Sequence, residues 1–182
     1  MSLLDKAVAA VTPPESAEAR ADARAKARSA ARPGSWLAEV VSHHEALEAA
    51  FAQVQSDNDS SSRRQAFKRL ATLLTGHSLA EEVVLYPALA QAGEKGHATM
   101  AYTEQTAAKM QAAALEEMDP FSEDFLDKLG HLQGAVEHHM YEEENGWFTD
   151  LAESSDVDQS KLTARFSEEF NRYMGADAQI AA

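Results

Sequence analysis

Two stretches of this sequence place a histidine four residues before a glutamate. The first is HSLAEEVVLYP, with His77 and Glu81, and the second is HMYEEENGWF, with His139 and Glu143. Residues four apart lie one turn from each other on the same side of a helix. An imidazole and a carboxylate that point the same way are typical ligands of a transition-metal ion. The repeat therefore indicates two copies of one metal-binding unit.

Both pairs fall on apolar stripes rather than on polar helix faces, and His44 lies on a third such stripe, between Trp36 and Val54. A buried carboxylate is costly unless a positive group compensates it, and a metal cation does so. The alternative for one copy alone is a hydrogen-bonded pair in the core. Two copies at matching positions, together with His44, favour a metal site.

Chain spacing points to one more position in the site. From His44 to His77 is 33 residues, and nearly the same distance back from His139 reaches Gln105, next to Glu104. The chain thus resembles two copies of a helical hairpin. Related by a twofold axis, they would hold two metal ions about 3.5 to 4 Å apart, as two-metal sites do.

Apolar residues at spacings of three and four predict the helices that position these groups. We expect four long helices and a shorter fifth, at about 36–54, 63–89, 97–118, 125–147 and 159–174. Short polar loops between the long helices predict an all-α, up-down-up-down four-helix bundle with an additional short C-terminal helix.

The N-terminal segment has a different composition. Residues 1–34 are rich in Ala and Arg, have prolines near both ends of the charged stretch and lack an apolar stripe, so we expect a flexible arm followed by the bundle domain at 35–176. A homodimer contact or a protein partner for this arm stays open. There is no apolar run of the length that a membrane span needs. The absence of a secretory signal favours the cytoplasm.

Composition limits the remaining partners. The net charge is −14, and the acidic excess lies outside the arm, so we expect repulsion of phosphate backbones and no nucleic-acid partner. The chain has no cysteine, which excludes disulfides, zinc–thiolate sites and iron–sulfur clusters.

At these motifs the chain resembles the hemerythrin-like, HHE cation-binding domains, over roughly residues 36–152. The similar segments are SHHEALE, HSLAEEVVLYP and HHMYEEENGWF. The resemblance implies a non-haem centre of two iron ions that binds or reacts with O2, peroxide or NO. Carried over by motif, the metal ligands are His44, His77, Glu81, His139 and Glu143.

The third long helix departs from that family pattern. Members usually have histidine there, whereas this chain has Glu104 and Gln105. A stripe through Met100, Ala107 and Leu115 favours Glu104 as the sixth ligand, with Gln105 as the alternative. A carboxylate-rich site suits manganese as well as iron and favours redox chemistry, such as peroxide decomposition, over reversible O2 carriage.

Two other functions remain open on the sequence alone. One is a non-catalytic iron or oxygen sensor that signals to a partner, and the other is a purely structural bundle. Of the side chains near the ligands, His43 and His138 are expected at the bundle edge or orienting a ligand. Glu144 is expected on the exposed surface, and Trp147 and Phe148 are expected to close one end of the site.

Overall fold

The helices begin at capping residues supplied by the sequence. The computed structural model describes residues 15–180 of the 182-residue chain, with side chains as far as Gly175. Ser35, Asp59 and Ser122 each accept a hydrogen bond from the backbone N–H three residues further on. Each such cap pairs one of the free donors at a helix start and contributes about 1 kcal/mol.

All regular structure within the described residues is helical, as the sequence predicts. The first four α-helices are α1 (Ala17–Ala30), α2 (Trp36–Ser56), α3 (Ser60–Ala80) and α4 (Tyr86–Gln91). They are followed by α5 (Lys95–Glu116), α6 (Glu123–Glu142), α7 (Phe148–Glu153) and α8 (Gln159–Ile180). None of the helices in the described part of the chain has the length and apolar character needed to cross a bilayer.

Two single π-helical turns interrupt the long helices. The first π turn (Glu81–Leu85) joins α3 to α4, and the second π turn (Glu143–Trp147) joins α6 to α7. Each begins at the glutamate of a His-x-x-x-Glu pair, so the sequence repeat is also a repeat of backbone structure. A π turn accommodates one more residue than an α turn, and such turns are frequent at functional sites.

Helices close in sequence pack against each other. The main contacts are α2 with α3, α5 with α6, and α4 with α5, and α8 lies against α3 and α2. Gly76 of α3 permits the close approach of α8, since a Cβ there would lie 2.9 Å from Tyr173 Cδ1. These contacts place α2, α3, α5 and α6 around a common centre.

Buried apolar side chains form two clusters. The first cluster includes Trp36, Leu85, Tyr86, Phe148 and Phe166. The second cluster includes Leu47, Phe51, Phe67, Phe125 and Leu132.

A polar layer lies where the long helices pass from one cluster to the other. On α2, His44 falls between Val41 of the first cluster and Leu47 of the second. On α5, Gln105 likewise follows residues of the first cluster and precedes residues of the second. On α3, His77 follows residues of the second cluster and precedes residues of the first. The candidate ligands therefore share one layer of the fold.

The expectation of a flexible N-terminal arm is wrong for residues 17–30. They form α1, which packs against α2, α7 and the second π turn. Ala23 and Ala27 are buried in this contact. Small side chains allow close helix packing without a stripe of large apolar residues, which explains why the sequence pattern did not reveal it. Residues 1–14 of the expected arm lie outside the described part of the chain.

The expected inner face of the third long helix is also wrong, by one position. Met100, which marked the expected stripe, is exposed on α5, and so is Met110. The buried residues there are Ala98, Ala101, Gln105, Ala108, Ala112 and Leu115. The buried face consists mainly of alanine, so the larger methionines gave a misleading stripe.

Candidate metal centre

Four of the predicted ligands converge in the polar layer. His44 comes from α2, His77 from α3, and Glu81 and Glu143 from the starts of the two π turns. All four are buried, and one ligand atom of each lies within 4.8 Å of the others. His44 Nε2 is 3.4 Å from Glu143 Oε2, and His77 Nε2 is 3.3 Å from Glu81 Oε1. These atoms form one side of the centre.

The other two carboxylate oxygens face a second group of side chains. His139 Nε2 lies 3.1 Å from Glu143 Oε1. The Tyr86 hydroxyl donates to the same oxygen at 3.0 Å and lies 3.3 Å from Glu81 Oε2. Gln105 donates its side-chain amide to Glu81 Oε2. Glu81 and Glu143 therefore each direct one oxygen to either side of the centre.

The donor set fits metal ions. His44 Nε2, Glu81 Oε1 and Glu143 Oε2 are buried and have no hydrogen-bond partner among the described residues. Unpaired buried polar atoms are rare in folded proteins because each carries a desolvation cost. Three of them directed to one point, on two carboxylates and an imidazole, are the ligand types that iron and manganese bind.

The outer nitrogens of two histidines are held by further carboxylates. His44 Nδ1 lies 2.6 Å from Glu144 Oε1, and His139 Nδ1 lies 2.8 Å from Glu104 Oε2. A carboxylate on the outer nitrogen fixes the tautomer and orientation of a ligating imidazole. In both histidines Nε2 is thereby directed to the centre.

Charges in the layer alter the pKa values of the histidines. Burial lowers the pKa of His44, but the nearby carboxylates of Glu143 and Glu144 outweigh burial and raise it to about 9. Burial opposes the charged form of His139 too, yet Glu143 holds the pKa of this imidazole well above its usual value. Burial and the charge of His44 lower the pKa of His77 well below 6.5.

The pKa values of the two central carboxyls, Glu81 and Glu143, are shifted in opposite directions. Burial and the charge of Glu143 raise the pKa of Glu81 well above its usual value. Burial acts on Glu143 as well, but His139 and His44 outweigh it and lower its pKa. The layer without metal therefore favours protonation of Glu81, His44 and His139, and a cation would compete with those protons.

The structure separates the roles of Glu104 and Gln105 differently from the sequence prediction. Gln105 is buried and contacts Glu81, whereas the side chain of Glu104 is 26% exposed and contacts the outer nitrogen of His139. The expectation that Glu104 rather than Gln105 faces the centre followed from the misplaced stripe on α5. Direct ligation by Glu104 stays a prediction that this geometry does not favour.

Two residues of the centre escaped sequence reasoning. Glu144 was expected on the surface but is 2% exposed and bonded to His44. Tyr86 lies near the end of the motif HSLAEEVVLYP and was given no role, yet its hydroxyl lies among three site residues. Its matching position to Phe148 in the two repeats was the signal available for Tyr86. Residues 142–144 are all glutamate, so their sequence does not indicate that Glu143 and Glu144 are buried and Glu142 is not.

Other histidines lie away from the two central carboxylates or contact the centre only through rings. His43 is buried, stacks on Phe170 with ring centroids 3.9 Å apart and meets His77 edge to face. His138 contacts Glu15 at the edge of the bundle. Trp147 and Phe148 are buried on the first-cluster side of the layer, as expected.

Comparison with known proteins agrees with this geometry. The hemerythrin HHE cation-binding domain model matches residues 37–151. The chain belongs to this family. Membership implies metal binding. In this hemerythrin-like chain, the buried group of two histidines and two glutamates could hold a metal ion.

The sequence also matches part of a longer curated protein. It is a DNA nickase from Nostoc sp. (strain PCC 7120), 27% identical over 121 residues, which is 66% of this chain and 34% of the relative. The hemerythrin-like chain thus spans about a third of that protein. The expectation that nucleic acid is not a partner gains no support from it. No solved structure matches the chain.

Proposed function

We propose that this protein holds two non-haem metal ions, iron at both positions, and reacts with O2, peroxide or NO there. The observation that carries the proposal is the division of the central carboxylates. Glu81 and Glu143 each turn one oxygen to His44 and His77 and the other to Tyr86 on the His139 side. Carboxylates that serve two positions at once are suited to a pair of cations.

The two positions have different ligands. His44 and His77 would hold one ion, and His139 the other, with Glu81 and Glu143 shared between them. Glu104 would support the second position indirectly. It contacts His139 Nδ1 and thereby keeps Nε2 directed to the centre. Oxygen ligands outnumber imidazoles on this side, so manganese is the alternative occupant.

Tyr86 supplies a proton donor beside the second position. Burial and the carboxylates Glu143 and Glu81 raise the pKa of this hydroxyl well above its usual value, so that it keeps its proton. Its Oη lies 3.0 Å from both Glu143 Oε1 and His139 Nε2. When bound, a pair of iron ions supplies electrons and an open coordination position to a small oxidant. Tyr86 would donate a hydrogen bond there.

The space beside the centre suits a very small reactant. A cavity of about 10 Å³ adjoins His77, Gln105 and His139, and its remaining lining is mostly apolar, apart from Ser78 and Glu104. This is room for about one water-sized molecule. O2, NO and peroxide are the reactants nearest to that size, and organic substrates are much larger.

The cluster order along the helices supports the up-down-up-down arrangement that we propose for the bundle. The chain passes from the first cluster to the second on α2 and α5, and in the opposite direction through α3 and α6. Successive long helices therefore run in opposite directions through the layer. Such a bundle presents side chains of all four helices to one central site.

Metal content tests the proposal directly. Protein produced in iron- and manganese-replete cells should carry about two metal ions per chain, as the ligand count of a two-metal site requires. Replacing His77 and His139 together by alanine should remove both, whereas the exposed His131 replaced by alanine should retain them. Well under one metal ion per chain in the unaltered protein would refute the proposal.

A non-catalytic iron or oxygen sensor is the second candidate, favoured by the contact of α1 with the second π turn. Stopped-flow spectra of the ferrous protein mixed with O2 or peroxide distinguish the two. Repeated turnover of peroxide supports the redox function. A stable adduct without turnover supports sensing.

A further inference from the structure

The guanidinium of Arg24, on α1, contacts a side chain of the candidate metal centre, although α1 lies outside the matched family domain. Arg24 belongs to α1, which precedes residues 37–151. Its side chain is 11% exposed, and Nε donates to Glu144 Oε1 at 2.5 Å. The other end of the guanidinium pairs with Glu48 on α2, with Nη2 3.0 Å from Oε1. Arg24 is thus fixed at both ends.

The carboxylate that Arg24 holds is the one on His44. Glu144 Oε1 accepts from Arg24 and lies 2.6 Å from His44 Nδ1. Glu144 is 2% exposed and therefore depends on these two partners for its charge. Arg24, Glu144 and His44 form a continuous series of charge-assisted contacts from α1 to the centre.

The matching carboxylate on the other side has a different environment. Glu104 is 26% exposed, and its ion pair with His139 is the only one that it makes within the described residues. Water can solvate Glu104, so that its charge needs no further cation. Glu144 lies beneath α1, where Arg24 takes the place of water. The two halves of the site are therefore supported unequally.

Docking of α1 depends on the same region. Lys26 donates to the backbone carbonyl of Asn145, and Arg24 contacts Glu144, so both reach the second π turn. Arg28 also pairs with α2, through Glu45, but its side chain is 59% exposed and that of Glu45 is 43% exposed. Arg24 is the residue of α1 whose contact continues to a ligand.

We propose that Arg24 is a positioning residue that holds Glu144 against His44, so that docking of α1 and retention of metal reinforce each other. This inference rests on the proposed function, because it takes His44 as a ligand. Coupling between two equilibria is reciprocal: if docked α1 raises metal affinity by some factor, bound metal strengthens docking by the same factor.

The first test is ferrous-ion affinity of the full chain, by competition with a chromogenic chelator under anaerobic conditions. Arg24→Ala should weaken Fe²⁺ binding by about 10- to 100-fold, the usual effect of losing a group that orients a ligand. Arg28→Ala removes an arginine of the same helix and should change affinity less than about twofold, since exposed pairs contribute little. Arg24→Lys should restore part of the loss.

The second test asks whether Arg24 acts through Glu144. Glu144→Gln should weaken Fe²⁺ binding on its own, without altering any residue of α1. Arg24→Ala added to Glu144→Gln should then cause little further loss, because contacting residues in one series are not additive. Full additivity would show that Arg24 acts elsewhere and would overturn the inference.

The third test uses hydrogen exchange of the α1 backbone amides, which reports docking rather than activity. Fe²⁺ should slow this exchange in the unaltered protein, and should leave it unchanged in Arg24→Ala. If the unaltered protein binds Fe²⁺ and the Arg24→Ala and Arg28→Ala variants bind it with equal affinity, the inference is overturned but the proposed function is not. An unaltered protein that binds no metal would instead refute the proposed function.

Discussion

Glu104 lies on the outer nitrogen of His139, with 2.8 Å between Oε2 and Nδ1. Its carboxylate is therefore placed to orient the imidazole rather than to join the atoms that converge on the centre.

This placement predicts a moderate effect of Glu104→Ala. Metal affinity should fall by about 10- to 100-fold, because His139 loses the partner that fixes its orientation. Glu104→Gln keeps an acceptor oxygen and should retain most of the affinity. Chelator competition measures both. A loss with Glu104→Ala as complete as that with His139→Ala would restore Glu104 to the ligand set.

The Tyr86 hydroxyl should stabilise the metal-free protein. It is fully buried and contacts His139 and Glu143, so Tyr86→Phe leaves buried polar groups with fewer partners. We expect the free energy of unfolding in urea to fall by about 1 to 3 kcal/mol. Tyr141→Phe, at a more exposed position of α6, is the control and should change it by less than about 0.5 kcal/mol. Equal effects at the two sites would contradict this role for Tyr86.

Metal binding should release protons and strengthen as pH rises. In the metal-free protein the pKa of His44 is about 9, so this imidazole holds a proton at neutral pH, and the raised pKa values of His139 and Glu81 favour their protonated forms as well. Protons compete with the cation for these atoms, so raising the pH towards about 9 increases affinity.

Calorimetric titration with Mn²⁺ at pH 7, in two buffers of different ionisation enthalpy, gives the proton count. We expect net proton release on full loading, including the proton that His44 holds at this pH. A release near zero would mean that the metal binds elsewhere.

The close approach of α8 to α3 at Gly76 predicts a costly substitution. A Cβ there would lie 2.9 Å from Tyr173 Cδ1 and 3.0 Å from Met174 Sδ. Gly76→Ala should therefore displace α8 and destabilise the protein by about 1 to 3 kcal/mol.

The matched control is Gly134→Ala on α6, where an added Cβ has no neighbour within 4 Å. It should stabilise the protein by about 0.5 to 1 kcal/mol, since alanine favours helix over glycine. Thermal unfolding followed by circular dichroism measures both variants. A stabilising Gly76→Ala would show that α8 is not packed as described.

The all-helical fold and the convergence of His44, His77, Glu81 and Glu143 could be predicted from sequence. Their spacing alone sets which helix face they share, and large apolar residues on α2, α3 and α6 mark those faces clearly. On α5 the same reasoning failed, because alanine buries well but carries little pattern, and Met100 and Met110 are exposed.

The packing of α1 explains the failure at Glu144, because α1 covers the second π turn and buries this side chain. Glu82, at the matching position of the first π turn, is only partly buried. Five residues are too few for a periodic signal, and an α-helical projection places Glu144 on the surface. For α1, charged contacts such as Arg24 with Glu144 replace the apolar stripe on which helix prediction relies.

The polar layer between the two apolar clusters joins them, in the metal-free chain, through contacts such as those of His44 with Glu144 and of Tyr86 with Glu143. A cation bound to ligands from α2, α3 and α6 would tie the two clusters to one point. Because such a cation binds the folded chain and not the unfolded one, we expect it to raise the melting temperature of the whole protein.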